Sequence, residues 1–262
     1  MEATSDPAPL PPPAMLWSEP FSVRAFETGA YGSLAVGSLC DYLQEAAGNH
    51  AGALGVSVSQ LMERNLTWVL ARLRLRIERL PGAGEPLEVR TWPSGVERLF
   101  ALRDFRVLDT GGGLVASALS AWLVIDTATR RSVRVQSAFD SPDTSAIPRA
   151  LDTGIEKLPA PEATDRESTL LVRLSDLDAN EHVNNARIAE WIAEGAGAEV
   201  QEKSRISALD IDFLAETRHG DSVISRAAAL PDGGFSHVLF RPADGREIAR
   251  ARSEWTTRRS RP

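Results

Sequence analysis

In the stretch WVLARLRLRIERLP, Leu73, Leu75 and Ile77 alternate with Arg72, Arg74 and Arg76, the two-residue period of a strand with one buried face. RLFALRDFRVLD and GGLVASALSAWLVID follow, with a glycine-rich turn between them. Leu66 to Asp126 is therefore expected to form an antiparallel meander. Upstream, SLCDYLQEAAGNHAGALG places Leu39, Tyr42, Leu43 and Ala46 at helical spacing, with Gly55 as the stop signal.

The same order returns after a proline- and aspartate-rich stretch, SPDTSAIPRALDTGIEKLPAPEATDRE. HVNNARIAEWIAEGAGAEV reads as a helix, and ALDIDFLAETRHGDSV, FSHVLFRP and GREIARARSEWTTR read as strands. GEPL at Gly84 matches GDSV at Gly220, and Trp122 matches Trp255 at nearly the same separation, as expected for two copies of one unit. A helix that must bury one stripe, followed by a sheet that must bury one face, is satisfied when the sheet wraps the helix. Two such units cover their free edges by pairing. The expected fold class is α+β, a tandem (double) hot-dog, each half an antiparallel sheet wrapped around one long helix. The expected division is a disordered tail at 1–16, a first domain at 17–137, a linker at 138–165 and a second domain at 166–262. One continuous α+β domain would explain neither the linker nor the repeat.

Composition narrows the function classes. The 262 residues are 43% hydrophobic, enough for a sizeable core, and no run approaches the roughly 18 apolar residues of a membrane helix. The first basic residue is Arg24, so the opening MEATSDPAPLPPPA has neither the basic start of a secretory signal nor an arginine-rich transit character. A single cysteine, Cys40, leaves no internal disulfide and no multi-cysteine zinc site, and the cytoplasm is the expected compartment. The net charge of −7 argues against general nucleic-acid binding.

The chemistry concentrates in DLDANEHVNN, residues 176–185. Asp178 or Asn180 could cap the following helix. A calcium loop is excluded by Glu181, where glycine is required, and by Arg187, where the chelating glutamate belongs. The four histidines show no paired metal spacing, and no G-x-S-x-G elbow occurs, so neither a metal nor a serine nucleophile is expected. A helix starting near Asn180 would instead bring free amides together with Asp178, Asn180 and His182. Such a site could stabilise an oxyanion and activate water, and a thiolate leaving group needs little acid assistance. No cofactor is required.

RLSDLDANEHVNNARIAEWIAE resembles the signature of the acyl-acyl carrier protein thioesterases of plants and bacteria. The resemblance extends, in order, through FSVRAFETGAYGSLAVGSLCDYLQEAAGNHAGALG, ERNLTWVLARLRLRIERLP, RTWPSG, ALRDFRV, SALSAWLVIDTATRR and GREIARARSEW, from about Trp17 to Trp255. It implies a tandem hot-dog that hydrolyses fatty acyl thioesters, with catalytic Asp178, Asn180, His182 and Glu216, an acyl-binding first domain and a catalytic second domain. Thr217 stands where plant members carry a cysteine, and Ile188 where tyrosine is common, so a cysteine nucleophile is not expected. Glu216 with Asp178 would then activate water while Asn180 and His182 hold the carbonyl; direct attack by Asp178 to give an anhydride is the alternative.

The resemblance also implies a partner: an acidic acyl carrier protein presenting its chain on phosphopantetheine. Arg72, Arg74 and Arg76, joined by Arg98, Arg103, Arg106, Arg130, Arg131 and Arg134, are expected to supply a local basic patch for it. A coenzyme A thioesterase and a non-catalytic acyl-binding hot-dog protein are the rival readings. No membrane partner is expected, and a homodimer is left open because a tandem chain already contains both halves.

Overall fold

The computed structural model describes residues 10–139, 144, 147–161 and 163–258. The first half runs β1 (Trp17–Ser22), α1 (Val36–Ala53), α2 (Val58–Met62), β2 (Leu66–Ile77), β3 (Pro86–Glu97), β4 (Phe100–Asp109), β5 (Leu114–Asp126), β6 (Ser132–Val133) and α3 (Val135–Ala138). The second half runs β7 (Arg166–Leu171), α4 (Asn185–Gly195), α5 (Ala198–Lys203), β8 (Ser204–Phe213), β9 (Ser222–Ala229), β10 (Phe235–Arg241) and β11 (Arg246–Thr257). The strands join in one antiparallel sheet of order β1-β3-β4-β5-β2-β8-β11-β10-β9-β7, with the short β6 on β5. Each half contributes five strands to that order and wraps them around its own helix, the tandem hot-dog.

The alternation in β2 does what its period requires. Leu73, Leu75 and Ile77 are buried in the main core with Leu39, Leu43 and Ala46 of α1 and with Ile192 of α4. Gly55 adopts φ +76°, a left-handed stop just beyond α1 that glycine accepts without steric cost.

Three expectations are corrected. β2 pairs with β5 and β8, not with β3, so the meander is confined to β3-β4-β5 and β2 closes its far side. The long second helix is interrupted: Gly197 takes φ +90° and separates α4 from α5. ALDIDFLAETRHGDSV is two strands, β8 and β9, with a turn over Thr217–Asp221. As for the expected tail, Pro13–Met15 forms a 3-10 turn, while residues 1–9 lie outside the described residues.

The halves meet where β2 pairs with β8 over Arg72–Arg76 and Ala208–Asp212. Here the arginines expected to face solvent are turned to another use. Arg74 Nη2 donates to Asp212 Oδ1 at 2.9 Å, and Arg76 makes a two-pronged contact with Asp210 at 2.6 and 3.1 Å. The segment that carries Glu156 and Leu158 crosses this outer face: Asp212 Oδ2 accepts from Leu158 N at 2.7 Å, and Glu156 O accepts from Arg74 Nη2 at 2.7 Å. Asp104, fully buried, ties the same segment down through Arg149 Nε and Ala150 N, both at 2.9 Å. The expected basic patch is therefore not formed as one exposed face: Arg74 and Arg106 are buried and Arg103 points to His50.

Candidate active site

The turn carrying the motif has a twin. A bridge between Thr28 and Leu34 encloses Gly29–Ser33 in the first half, and a bridge between Leu177 and Val183 encloses Asp178–His182 in the second. Each follows a 3-10 turn, Ala25–Glu27 and Leu174–Asp176, whose last carboxylate accepts from the backbone amide of Arg24 or Arg173. Val183 N donates to Thr217 O as Leu34 N donates to Pro81 O. The two turns thus superpose in sequence, with Gly29, Tyr31, Ser33 and Leu80 in the first half at the positions of Asp178, Asn180, His182 and Glu216 in the second. One backbone design is repeated and only one copy carries the polar set.

The second turn is closed by its own aspartate. Asp178 N donates to His182 O at 2.8 Å, Glu181 N to Asp178 O at 3.1 Å, and Asp178 Oδ1 accepts from Asn180 N at 2.8 Å and His182 N at 3.3 Å. Glu181 sits at φ +61° where the first half has Gly32 at +71°. A left-handed glutamate costs on the order of 1 kcal/mol, the kind of strain that collects at functional sites.

Helix α4 begins later than the sequence implies. Asn184, not Asp178 or Asn180, is the cap: its Oδ1 accepts from Ala186 N at 2.9 Å. That cap occupies one of the helix's leading amides, Ala186 N. Asn184 and Asn185 also reach across to α1, to Asp41 and Gln44, at 3.3 Å each. Asp41 is pushed above the usual carboxylate range by burial.

The structure brings His182 and Glu216 together: Nε2 lies 3.3 Å from Glu216 Oε2. Asp178 and Asn180 share the turn with His182, and Asn180 Nδ2 is a long 3.5 Å from Asp178 Oδ2, leaving that amide free to turn elsewhere. Among the described residues no hydrogen bond joins Asp178 to Glu216. Two neighbours were not foreseen in these roles. Arg218 Nη2 is 3.1 Å from His182 Nε2, and Arg130 Nη2 donates to Glu216 Oε2 at 2.9 Å. Guanidinium only donates and carboxylate only accepts, so Nε2 satisfies Arg218 when the ring proton is on Nδ1 and Glu216 when it is on Nε2. The site thus offers His182 two alternative proton positions, each with a partner.

Thr217 is buried, and its Oγ1 donates to Asp221 Oδ2 at 2.8 Å, fixing the Glu216 loop beside the motif. Burial pushes the Cys40 thiol up to about 12, so it holds no thiolate at neutral pH. Ile188 is a buried core residue of α4.

An apolar cavity of about 340 Å³ lies in the first half between α1 and the sheet, lined among others by Gly48, Ala51, Trp68, Val96, Leu102 and Trp122. Gln44 and Trp122 also line a second space of about 20 Å³ that reaches Asn185 and Phe213. Those two residues lie three positions from His182 and Glu216 respectively. Among the described residues no cluster could hold a metal ion, and no helix is long and apolar enough to cross a membrane.

Comparison with known proteins agrees with this architecture. Residues 15–142 match the acyl-ACP thioesterase N-terminal domain and residues 160–257 the acyl-ACP thioesterase C-terminal domain. The chain is 29% identical over 259 residues to a chloroplastic palmitoyl-acyl carrier protein thioesterase of Cuphea hookeriana, covering 92% of this chain and 62% of that protein. It therefore spans a little over six tenths of the plant relative's length. The crystal structure of an acyl-ACP thioesterase from Bacteroides thetaiotaomicron superposes with TM-score 0.79 at 27% identity, covering 92% of this chain and 98% of that one. The 12:0-ACP thioesterase from Umbellularia californica superposes with TM-score 0.77 at 25% identity, over 93% and 98%.

Proposed function

The chain belongs to the acyl-ACP thioesterase family, and from that premise we propose that it hydrolyses the thioester of a fatty acyl chain carried on acyl carrier protein. The observation that carries the reading is the apolar cavity of about 340 Å³ in the first half, whose lining residues Gln44 and Trp122 also border a small space of about 20 Å³ that reaches Asn185 and Phe213 of the second half. In this reading the acyl chain occupies the larger cavity and its thioester lies toward the second half. The plant relatives are named for acyl carrier protein, which supports the same carrier here. They are also named as chloroplastic; for this chain, a single cysteine that is buried supports a reducing compartment, which we take to be the cytoplasm.

The geometry supports the following roles. Glu216 is the base that takes a proton from water, because it is the carboxylate of the set held in place by neighbours without being tied to backbone amides. Asp178 orders the turn through two backbone amides, so its part in activating water is to fix the groups around it. Asn180 and His182 donate to the thioester oxygen as charge develops on it. The thiolate leaves with little assistance, since a free thiol ionises near pH 8.5.

Thiol release from acyl-carrier and acyl-coenzyme A thioesters tests the activity, with the carrier thioester expected to be the better substrate. The cavity assignment has its own test. A Cβ on Gly48 would meet nothing within 4 Å, so the space beside it is open. Gly48→Leu should fill part of the cavity and favour shorter chains, with each excluded methylene costing about 0.8 kcal/mol, or roughly fourfold in kcat/KM. Comparing hexadecanoyl with dodecanoyl carrier for wild type and variant reads this directly. An unchanged ratio would place the chain elsewhere.

A further inference from the structure

Glu216 Oε2 is contacted from both sides, by Arg130 Nη2 at 2.9 Å and by His182 Nε2 at 3.3 Å, while no hydrogen bond among the described residues reaches Oε1. Arg130 comes from the other half of the molecule. It lies in the tight connection between β5 and β6, where Asp126 Oδ1 accepts from Ala128 N at 3.0 Å and Thr129 N at 2.7 Å, and Asp126 O accepts from Arg130 N at 2.8 Å. The connection is tied back to the start of β2 through Thr127 N and Asn65 O at 2.8 Å. Arg130 itself has φ +58°, a left-handed conformation unusual for a residue other than glycine or asparagine. From this bonded turn the Arg130 side chain reaches Glu216.

We propose that Arg130 is a positioning residue for the Glu216 base, which makes the reaction centre a composite of both halves; the inference rests on the reading of Glu216 given above. An ion pair this exposed, with the arginine side chain 65% and the glutamate 38% accessible, adds little to stability. Its consequence is geometric. With both neighbours on Oε2, Oε1 is the oxygen left to accept a proton from water. The first half then does more than bind the acyl chain: the same sheet that lines the cavity supplies the cation that holds the base. This also accounts for Arg130 outside a carrier-binding patch, since its guanidinium faces the polar cluster.

The test is steady-state kinetics on an acyl-carrier thioester with Arg130→Ala and Arg130→Lys, each in the wild-type and Glu216→Ala backgrounds. Arg130→Ala should lower kcat about tenfold or more with KM changed less than about threefold, and Arg130→Lys should restore most of the loss. In the Glu216→Ala background, Arg130→Ala should cause no further loss, because the group it positions is gone. Thermal melts should match wild type; if the alanine variant melts early, Arg130→Gln repeats the measurement with a side chain of similar length and no charge. The proposal is overturned if kcat is unchanged, if only KM for the carrier substrate rises, or if the same factor is lost in both backgrounds. Full activity in Glu216→Ala alone would instead remove the base reading and the proposal with it, an outcome distinct from a silent Arg130→Ala beside an inactive Glu216→Ala.

Discussion

Glu216→Ala is expected to lower kcat for thioester hydrolysis by about 10²–10⁴-fold while leaving KM nearly unchanged. The size follows from the role, since a positioned general base contributes in that range and no other carboxylate among the described residues pairs with the His182 imidazole. Asp178, the nearest alternative in the turn, has Oδ1 bonded to Asn180 N and His182 N, and among the described residues no hydrogen bond joins it to Glu216. Glu216→Gln should lose nearly as much, because an amide of the same shape cannot accept the proton. Both variants should fold normally, as Glu216 is partly exposed and outside the core. Steady-state thiol release beside a thermal melt checks this. Full activity in either variant would show that water is activated elsewhere.

The second large effect concerns the seam between the halves. Asp212→Ala should destabilise the protein by about 3–5 kcal/mol, because it leaves the Arg74 guanidinium buried without its carboxylate. Arg74 and Asp212 are only 3% and 1% exposed at their side chains. The substitution also strands Leu158 N, which donates to Asp212 Oδ2. For a chain of this size the melting temperature should fall by roughly 10 °C. Asp210→Ala, which breaks the more exposed pair with Arg76, should cost less. Calorimetry on the two variants separates these cases; equal and small losses would mean that β2–β8 pairing and apolar packing hold the seam without the ion pairs.

How much of this was legible in the sequence depends on the range of the interaction. The repeat was readable because it is local: the alternation of Leu73, Leu75 and Ile77, the helical spacing of Leu39, Tyr42, Leu43 and Ala46, and the matching glycines and tryptophans all lie within single elements or at repeated spacing. In the structure, Trp122 and Trp255 even donate to equivalent serines, Ser120 and Ser253. What strand periodicity could not say is what covers the polar face. Arg72, Arg74 and Arg76 alternate correctly, yet their face meets Asp210 and Asp212 and the segment around Glu156–Leu158, so a face that is ordinarily solvated became a buried seam.

The site divides the same way. DLDANEHVNN declared its turn, but the helix start slipped from Asn180 to Asn184 because Asp178 spends its acceptor on the turn itself. Glu216 was reachable only through the family resemblance. Arg130 and Arg218 carried no local signal for their roles: one is a turn residue among many arginines, and each is placed by pairing between distant segments. The twin turns offer the signal that could have found the asymmetry, since Gly29, Tyr31 and Ser33 mark the copy without chemistry.

The most direct test is the release of thiol from two substrates that share one acyl chain and differ in carrier, acyl carrier protein and coenzyme A. Wild type is expected to release thiol from the carrier thioester with kcat/KM at least about tenfold above the coenzyme A thioester, a difference of about 1.4 kcal/mol in transition-state binding. Release from neither substrate would contradict the account and leave a hot-dog protein that binds acyl chains without hydrolysing them, and preference for coenzyme A would contradict its assignment of the carrier.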